Sequence, residues 1–197
     1  MSSKDVILGR VRAALRDQPA VPSIPRDYRR EFGPADLDLF VERLSDYRAV
    51  VHRGTPVAEA VKAIGGTGTL IVPPGLDRSW LPADVSIVVD DGLPAERIAA
   101  ADGVVTAAAV GIAETGTIVL DASPDQGRRI ISLLPDLHIC VIRPDQVVAA
   151  VPEAVARLDP ARPLTWISGP SATSDIELDR VEGVHGPRNL HVVLTDA

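Results

Sequence analysis

Apolar positions along the chain follow two spacings, one typical of helices and the other of short buried strands. Near the amino terminus, Ile7, Val11 and Leu15 recur every four residues, which predicts an amphipathic helix over residues 4–16. A proline-rich stretch without a clear period follows and indicates an extended linker. We therefore expect an N-terminal helix and linker over residues 1–35 and a single domain over residues 36–197.

Helix-like and strand-like segments alternate through the domain. Short runs of Val, Ile and Leu predict strands, namely "YRAVVH", "GTLIVPP", "VSIVVDDG", "LHICVI", "PLTWISGPS" and "LHVVLTD". Segments with helical spacing lie between several of them. This alternation favours an α/β fold whose mostly parallel sheet is flanked by helices on both faces.

Prolines determine where one predicted helix begins and where another is interrupted. Thr55 precedes Pro56, so we expect a helix capped by Thr55 with the proline in its first turn. Residues 144–158 also have helical spacing, but Pro152 lies inside them. Since proline lacks an N–H and clashes with the preceding turn, we expect this helix to be kinked or split there.

Residues 103–123, "GVVTAAAVGIAETGTIVLDAS", contain two apolar runs separated by only a few residues. A parallel crossover needs a dozen or more residues, so the two runs must pair as an antiparallel hairpin or bend back locally. The predicted sheet is therefore mixed.

Composition narrows the classes of function. Apolar residues make up 46% of the chain and aromatic residues only 3%, so the core must be aliphatic. The formal charge of −7 counts against nucleic-acid binding, which needs a basic face. The one cysteine, Cys140, is expected to be buried, and it can hold neither an intrachain disulfide nor an iron–sulfur cluster. Without a signal-like segment or an apolar run long enough to span a membrane, the chain is expected to be cytoplasmic.

Ligands of open α/β sheets bind near the carboxyl ends of strands, and polar loops there are the first candidates. The glycine-rich stretch 65–69 precedes a strand and is best interpreted as a helix end. Glu114, Thr115, Gly116 and Thr117 cluster at the bend of the predicted hairpin, among small neighbours. Glu114 is either a solvated turn residue or a carboxylate that acts as base or nucleophile.

Two further loops carry polar side chains. The paired arginines in residues 127–138 suit a carboxylate or phosphate ligand, with surface solvation as the alternative. Hydroxyl and acidic residues follow the strand at 165–167, and a histidine precedes the last strand; together they predict an anion site of Ser168, Gly169, Ser171, Thr173, Asp175 and His185. No spacing typical of a metal site is present, so no metal is predicted.

Three ordered segments, "GIAETGTIVLDAS", "GRRIISLLPDLHICVI" and "ISGPSATSDIELDRVEGVHGPRNLHVVL", resemble the LUD-domain family, and most closely its lactate-utilisation C group. The resemblance covers about residues 36–197. It implies a fold like that of the NagB/RpiA/CoA-transferase superfamily. It also implies a role in oxidising L-lactate to pyruvate beside iron–sulfur partner proteins, with no cofactor in this chain.

Two hypotheses of function remain. In the first, the protein is a non-redox subunit of an L-lactate utilisation system that binds partners and a small carboxylate or phosphate near Glu114. In the second, it is a stand-alone enzyme, similar to CoA transferases or sugar-phosphate isomerases, in which Glu114 is nucleophile or base. The second rests on fold-level analogy alone.

Overall fold

The computed structural model describes residues 2–17, 22–173, 181–182 and 186–196. The helices are α1 (Ser3–Ala14), α2 (Leu37–Asp46), α3 (Val57–Gly65), α4 (Ala95–Ala99) and α5 (Val151–Arg157). The strands are β1 (Val50–Arg53), β2 (Thr69–Val72), β3 (Ser86–Val89), β4 (Gly103–Ala107), β5 (Val110–Ile112), β6 (Thr117–Leu120), β7 (Leu137–Ile142), β8 (Val147–Val148), β9 (Thr165–Ile167), β10 (Ala172–Thr173), β11 (Val181–Glu182) and β12 (Asn189–Leu194).

Six strands form the main sheet, in the order β1-β12-β7-β4-β2-β3, and every pairing in it is parallel. A second sheet has the order β8-β5-β6-β9, and its β5–β6 and β6–β9 pairs are antiparallel. The predicted α/β fold with a mostly parallel sheet flanked by helices is confirmed, and the antiparallel pairs belong to the second sheet. The predicted hairpin is the β5–β6 pair, and it lies in the second sheet rather than in the main one.

Aliphatic side chains fill both faces of the main sheet, as the composition predicts. On one face, α3 packs over Val105, Ile139 and Val141 of the central strands. On the other, α2 and the second sheet enclose Phe40 and Cys140, both fully buried. Burial raises the pKa of the Cys140 thiol to about 12, so this residue acts as a small apolar group in the core.

The segment around Pro152 is divided, but its first part is not an α-helix. A 3₁₀ helix at Pro144–Gln146 and the short strand β8 occupy it, and α5 begins at Val151 with the proline in its first turn. Glu153 stabilises this start, because its Oε2 accepts hydrogen bonds from the Ala149 and Ala150 N–H groups. A proline in the first turn costs no helical hydrogen bond, so the chain begins the helix there.

The predicted capping by Thr55 is wrong. Pro56 is the residue before α3, and no side chain caps this helix. The N-terminal helix is confirmed as α1, where Ser2 and Asp5 form reciprocal capping hydrogen bonds. No residue of α1 is buried. The linker is fixed to the domain at Phe32, whose N–H donates to Glu153 Oε1 at 3.1 Å.

Candidate functional site

A cleft of about 250 Å³ opens where the loop after β9 faces the first residues of β7 and β12. We call it the serine cleft. Its polar and aromatic wall residues are Arg129, Ser132, His138, Thr165, Trp166, Ser168 and Ser171. Ser168, Gly169 and Ser171 of the predicted anion site therefore lie at one cavity.

The serine cleft lies at the amino ends of β7 and β12, since His138 and Leu190 are each the second residue of their strand. The expectation that the polar loops would lie at the carboxyl ends of the main sheet is wrong for this site. Residues 127–138 precede β7, and residues 168–171 follow β9 of the second sheet. β9 belongs to the second sheet, and its carboxyl end lies near the amino ends of β7 and β12 in the main sheet.

A chain of hydroxyl groups connects the hairpin bend to the serine cleft. The oxygens of Thr115 and Thr117 are 2.7 Å apart, and Thr117 Oγ1 is 2.8 Å from Ser168 Oγ. The antiparallel pairing of β6 with β9 places Ile118 opposite Ile167 and so brings the neighbouring Thr117 and Ser168 together. The sequence prediction that these hydroxyls share a site is supported by this geometry.

Two glycines let the walls of this site approach α2. Gly116 has φ +58°, and a Cβ there would lie 2.7 Å from the Arg43 carbonyl carbon. Gly169 has φ +90°, and its Cβ would lie 2.7 Å from Tyr47 O. Since side-chain-bearing residues disfavour both the conformation and the contact, only glycine fits. Both loops are thereby held against the same end of α2.

Glu114 does not line the serine cleft. Its side chain is exposed on the β5–β6 turn, and its backbone N–H donates to Ala149 O at 3.1 Å. Thr115 is half-buried beside it, and Gly116 and Thr117 are buried. A catalytic role of Glu114 stays a prediction. The polar side chains of the serine cleft do not converge on this carboxylate.

The predicted anion site has three further residues, Thr173, Asp175 and His185. Thr173 belongs to β10, which pairs with β11 through Ala172 opposite Glu182. Asp175 and His185 lie outside the described residues.

His138 also lines the serine cleft, and it was not identified as a candidate from the sequence. It is 1% exposed, and Thr106 Oγ1 lies 2.8 Å from its Nε2. Burial lowers its pKa to about 4, so the imidazole is neutral at physiological pH. This side chain thus has a hydrogen-bond partner in the core and also lines the cavity.

The two arginines of the third predicted loop have different surroundings. Arg128 donates Nε–H to Asp90 Oδ2 at 2.8 Å and also bonds Oδ1, and the Asp90 side chain is 1% exposed. This partner and backbone N–H groups hold the pKa of Asp90 below its ordinary value. Arg129 lines the serine cleft, and the described part of the chain offers its guanidinium no carboxylate partner. Only Arg129 is therefore available to an anion.

In the described ranges, no cluster of three or more His, Cys, Asp or Glu side chains could hold a metal ion. No helix among the same residues is both long enough and apolar enough to cross a membrane.

Residues 94–195 match the model of the LUD domain, which is just over half of the chain. The chain belongs to the LUD domain family. Within it, "Lactate utilization protein C" of Deinococcus radiodurans is 48% identical over 166 residues, covering 80% of this chain and 78% of that protein.

Other members of the LUD domain family are more distant. "Lactate utilization protein C" of Bacillus subtilis is 36% identical over 101 residues, which cover 47% of this chain and 42% of that protein. The matched part therefore spans less than half the length of that relative. A crystal structure of a DUF162 family protein from Deinococcus radiodurans has a TM-score of 0.70 and 40% identity, and the match covers 81% of this chain and 96% of that one. These relatives confirm the expected family and fold.

Proposed function

We propose that the protein is a non-redox subunit of an L-lactate utilisation system and binds a small organic anion in the serine cleft. Two relatives with the name "Lactate utilization protein C" support the biological role. The observation that supports an anionic ligand is that Arg129, whose guanidinium has no carboxylate partner among the described residues, lines the same cavity as the Ser168 hydroxyl.

The chemistry of the serine cleft suits a carboxylate or a phosphate. Arginine presents a planar fork of N–H donors that matches both groups, and the hydroxyl of Ser168 can donate to a remaining oxygen. His138 also lines the cavity and adds no charge to it, because burial keeps its imidazole neutral, and its Nε2 lies 2.8 Å from Thr106 Oγ1. Trp166, 43% exposed, forms an apolar wall for the carbon skeleton.

In this proposal the redox chemistry belongs to iron–sulfur partner proteins. The chain itself has a single cysteine, which is buried in the core. Such a cysteine cannot by itself carry a cluster. The alternative of a stand-alone enzyme that uses Glu114 has no geometric support, since this carboxylate is exposed and outside the serine cleft.

A genetic experiment tests the biological role. Deletion of the gene in the native host is expected to abolish growth on L-lactate as sole carbon source while growth on pyruvate is retained, and a tagged copy should restore growth and co-purify an iron–sulfur protein. Normal growth of the deletion strain on L-lactate would refute the role.

A binding experiment tests the serine cleft. Isothermal titration with L-lactate, pyruvate and inorganic phosphate should show binding of at least one anion to the wild type. Arg129→Gln should weaken that binding by about tenfold or more, since a charge-assisted contact is lost. Arg97→Gln, an exposed arginine of α4, is the matched control and should bind like the wild type. Equal affinity of wild type and Arg129→Gln would remove the serine cleft from the proposal.

A further inference from the structure

A second and larger cavity, about 500 Å³, lies beyond the carboxyl ends of β2, β4 and β7. We call it the carboxyl-end cavity. Gly75, Ala108 and Arg143, which follow these three strands, all line it. It shares no lining residue with the serine cleft in the described part of the chain.

The strand order of the main sheet marks this position as a usual site for ligands. From β2 the chain moves outward to β3, whereas β4, β7 and β12 follow one another on the opposite side of β2. The direction of strand order therefore reverses between β2 and β4. In open parallel sheets the crevice outside the carboxyl ends at such a reversal is the usual ligand site.

One wall of the carboxyl-end cavity is the loop after β6, and it is fixed in place. Gly75 N–H donates to Pro124 O at 2.9 Å, and Ala107 N–H donates to Asp125 O at 3.0 Å. The buried Gln126 accepts the Asp121 N–H at 2.6 Å through its side chain. The loop also holds Ala122 at φ +57°, a conformation that residues with a side chain rarely adopt. These contacts give a wall that is formed before any ligand binds.

Acidic and basic side chains both line the carboxyl-end cavity, among them Asp125 and Arg157. Asp125 accepts a hydrogen bond from Gln126 Nε2 at 3.3 Å, but no cation pairs with it among the described residues. Arg157 donates to the Asp145 backbone carbonyl at 3.0 Å and lies close enough to Glu153 to help lower the pKa of that carboxyl group, but in the described ranges no carboxylate forms an ion pair with it. Among the described residues, a carboxylate and a guanidinium that form no ion pair therefore line the same cavity.

We propose that the carboxyl-end cavity binds an organic anion that carries several hydroxyl groups. Its carboxylate or phosphate contacts Arg157, and its hydroxyls donate to Asp125, which lines the same cavity. An anion without hydroxyls would leave Asp125 facing negative charge, and a cation would leave Arg157 unmatched. The volume lies within the roughly 300–1,000 Å³ of small-molecule sites, so a metabolite of sugar-acid or nucleotide size fits.

The test compares three probes by isothermal titration against the full-length protein: gluconate, adenosine 5′-monophosphate and inorganic phosphate. Gluconate and the nucleotide distinguish a carboxylate from a phosphate head group. At least one of them should bind, and inorganic phosphate should bind about tenfold more weakly than the better of the two, since it lacks the hydroxyls that reach Asp125.

Two variants locate the binding. Asp125→Asn and Arg157→Gln should each weaken the better probe by about tenfold, because each leaves one end of the ligand unmatched. Asp91→Asn and Arg97→Gln, on exposed residues elsewhere, are the charge-matched controls and should bind normally. Arg157 is exposed, so its variant keeps the test valid if Asp125→Asn folds poorly.

Either of two results overturns the proposal: neither hydroxylated anion binds at millimolar concentration, or both variants bind like the wild type. The outcome is independent of the serine cleft, because Arg129→Gln should leave this binding unchanged.

Discussion

Thr117 and Ser168 are 51 residues apart in sequence, and their hydroxyl oxygens lie 2.8 Å from each other. This contact joins the β5–β6 turn to the rim of the serine cleft, and Thr117 is 5% exposed. The position of Ser168 at the cavity thus depends on a residue in another strand.

Thr117→Val keeps the shape of the side chain and removes the hydroxyl that connects Thr115 with Ser168. We expect a loss of about 1 kcal/mol in the free energy of unfolding. Urea denaturation measures it. Thr195→Val is the control, because Thr195 Oγ1 is buried without a partner among the described residues, so its removal should be neutral or stabilising. Equal destabilisation by the two variants would contradict the assigned role of Thr117.

Acid should destabilise the fold through His138. Its pKa is about 4 in the folded state and about 6.5 when exposed, so the unfolded chain binds more protons between these values. Stability is therefore full above about pH 6.5 and falls as the pH drops toward 4, by on the order of 3 kcal/mol. His138→Gln should flatten this dependence in denaturation curves measured across that range. Parallel pH dependences for wild type and variant would contradict the prediction.

The two neighbouring arginines should separate binding from stability. Arg128→Gln leaves the buried Asp90 carboxylate without its cation and should cost about 2 kcal/mol of stability. Arg129→Gln should leave the stability unchanged and impair only anion binding. Thermal denaturation of both variants tests this, with Arg53→Gln, from an exposed ion pair with Asp38, as a neutral control. A stable Arg128→Gln protein would refute the importance of the Asp90 pair.

Gly116→Ala should destabilise the protein more than Gly54→Ala. Both glycines have positive φ, +58° and +73°, but only at Gly116 would a Cβ meet the backbone of α2. The conformation alone costs roughly 1–2 kcal/mol, and the clash adds to it. Chemical denaturation of the pair isolates the contact between the hairpin turn and α2. Equal losses would show that the turn can move away from the helix at no cost.

Removal of residues 2–17 should leave the stability of the domain unchanged. No side chain of α1 is buried, and the linker contact at Phe32 remains. Thermal unfolding of the truncated protein measures this. Phe40→Ala, which empties a fully buried site, is the opposite control with an expected loss of about 3–5 kcal/mol. A lower melting temperature after truncation would indicate that α1 packs on the domain.

Sequence patterns predicted the elements whose causes are local. Apolar runs gave strands such as "LHICVI", and the short spacing of the two runs at 103–123 required a hairpin. The start of α5 was harder to predict. Pro152 indicates a break in the helix but does not indicate the structure before it, and β8 forms only through its pairing with β5.

The site was predictable only in part. Hydroxyl residues after β9 marked the serine cleft, but the pattern could not show that its other wall comes from the amino ends of β7 and β12. That arrangement depends on how the second sheet sits against the first. Similarly, nothing in "GRR" distinguishes Arg128 from Arg129, since the difference arises from Asp90, 38 residues earlier in sequence.

The pairing of β1 with β12 has a consequence for synthesis of the chain. β1 lies at the edge of the main sheet, and its hydrogen-bonding partner is the strand that ends at Leu194. During synthesis on the ribosome, Val50–Arg53 therefore stays without this partner until residues 189–194 have emerged. Contacts between such distant segments slow folding. Until then, the growing chain carries an open strand edge that chaperones or neighbouring chains can capture.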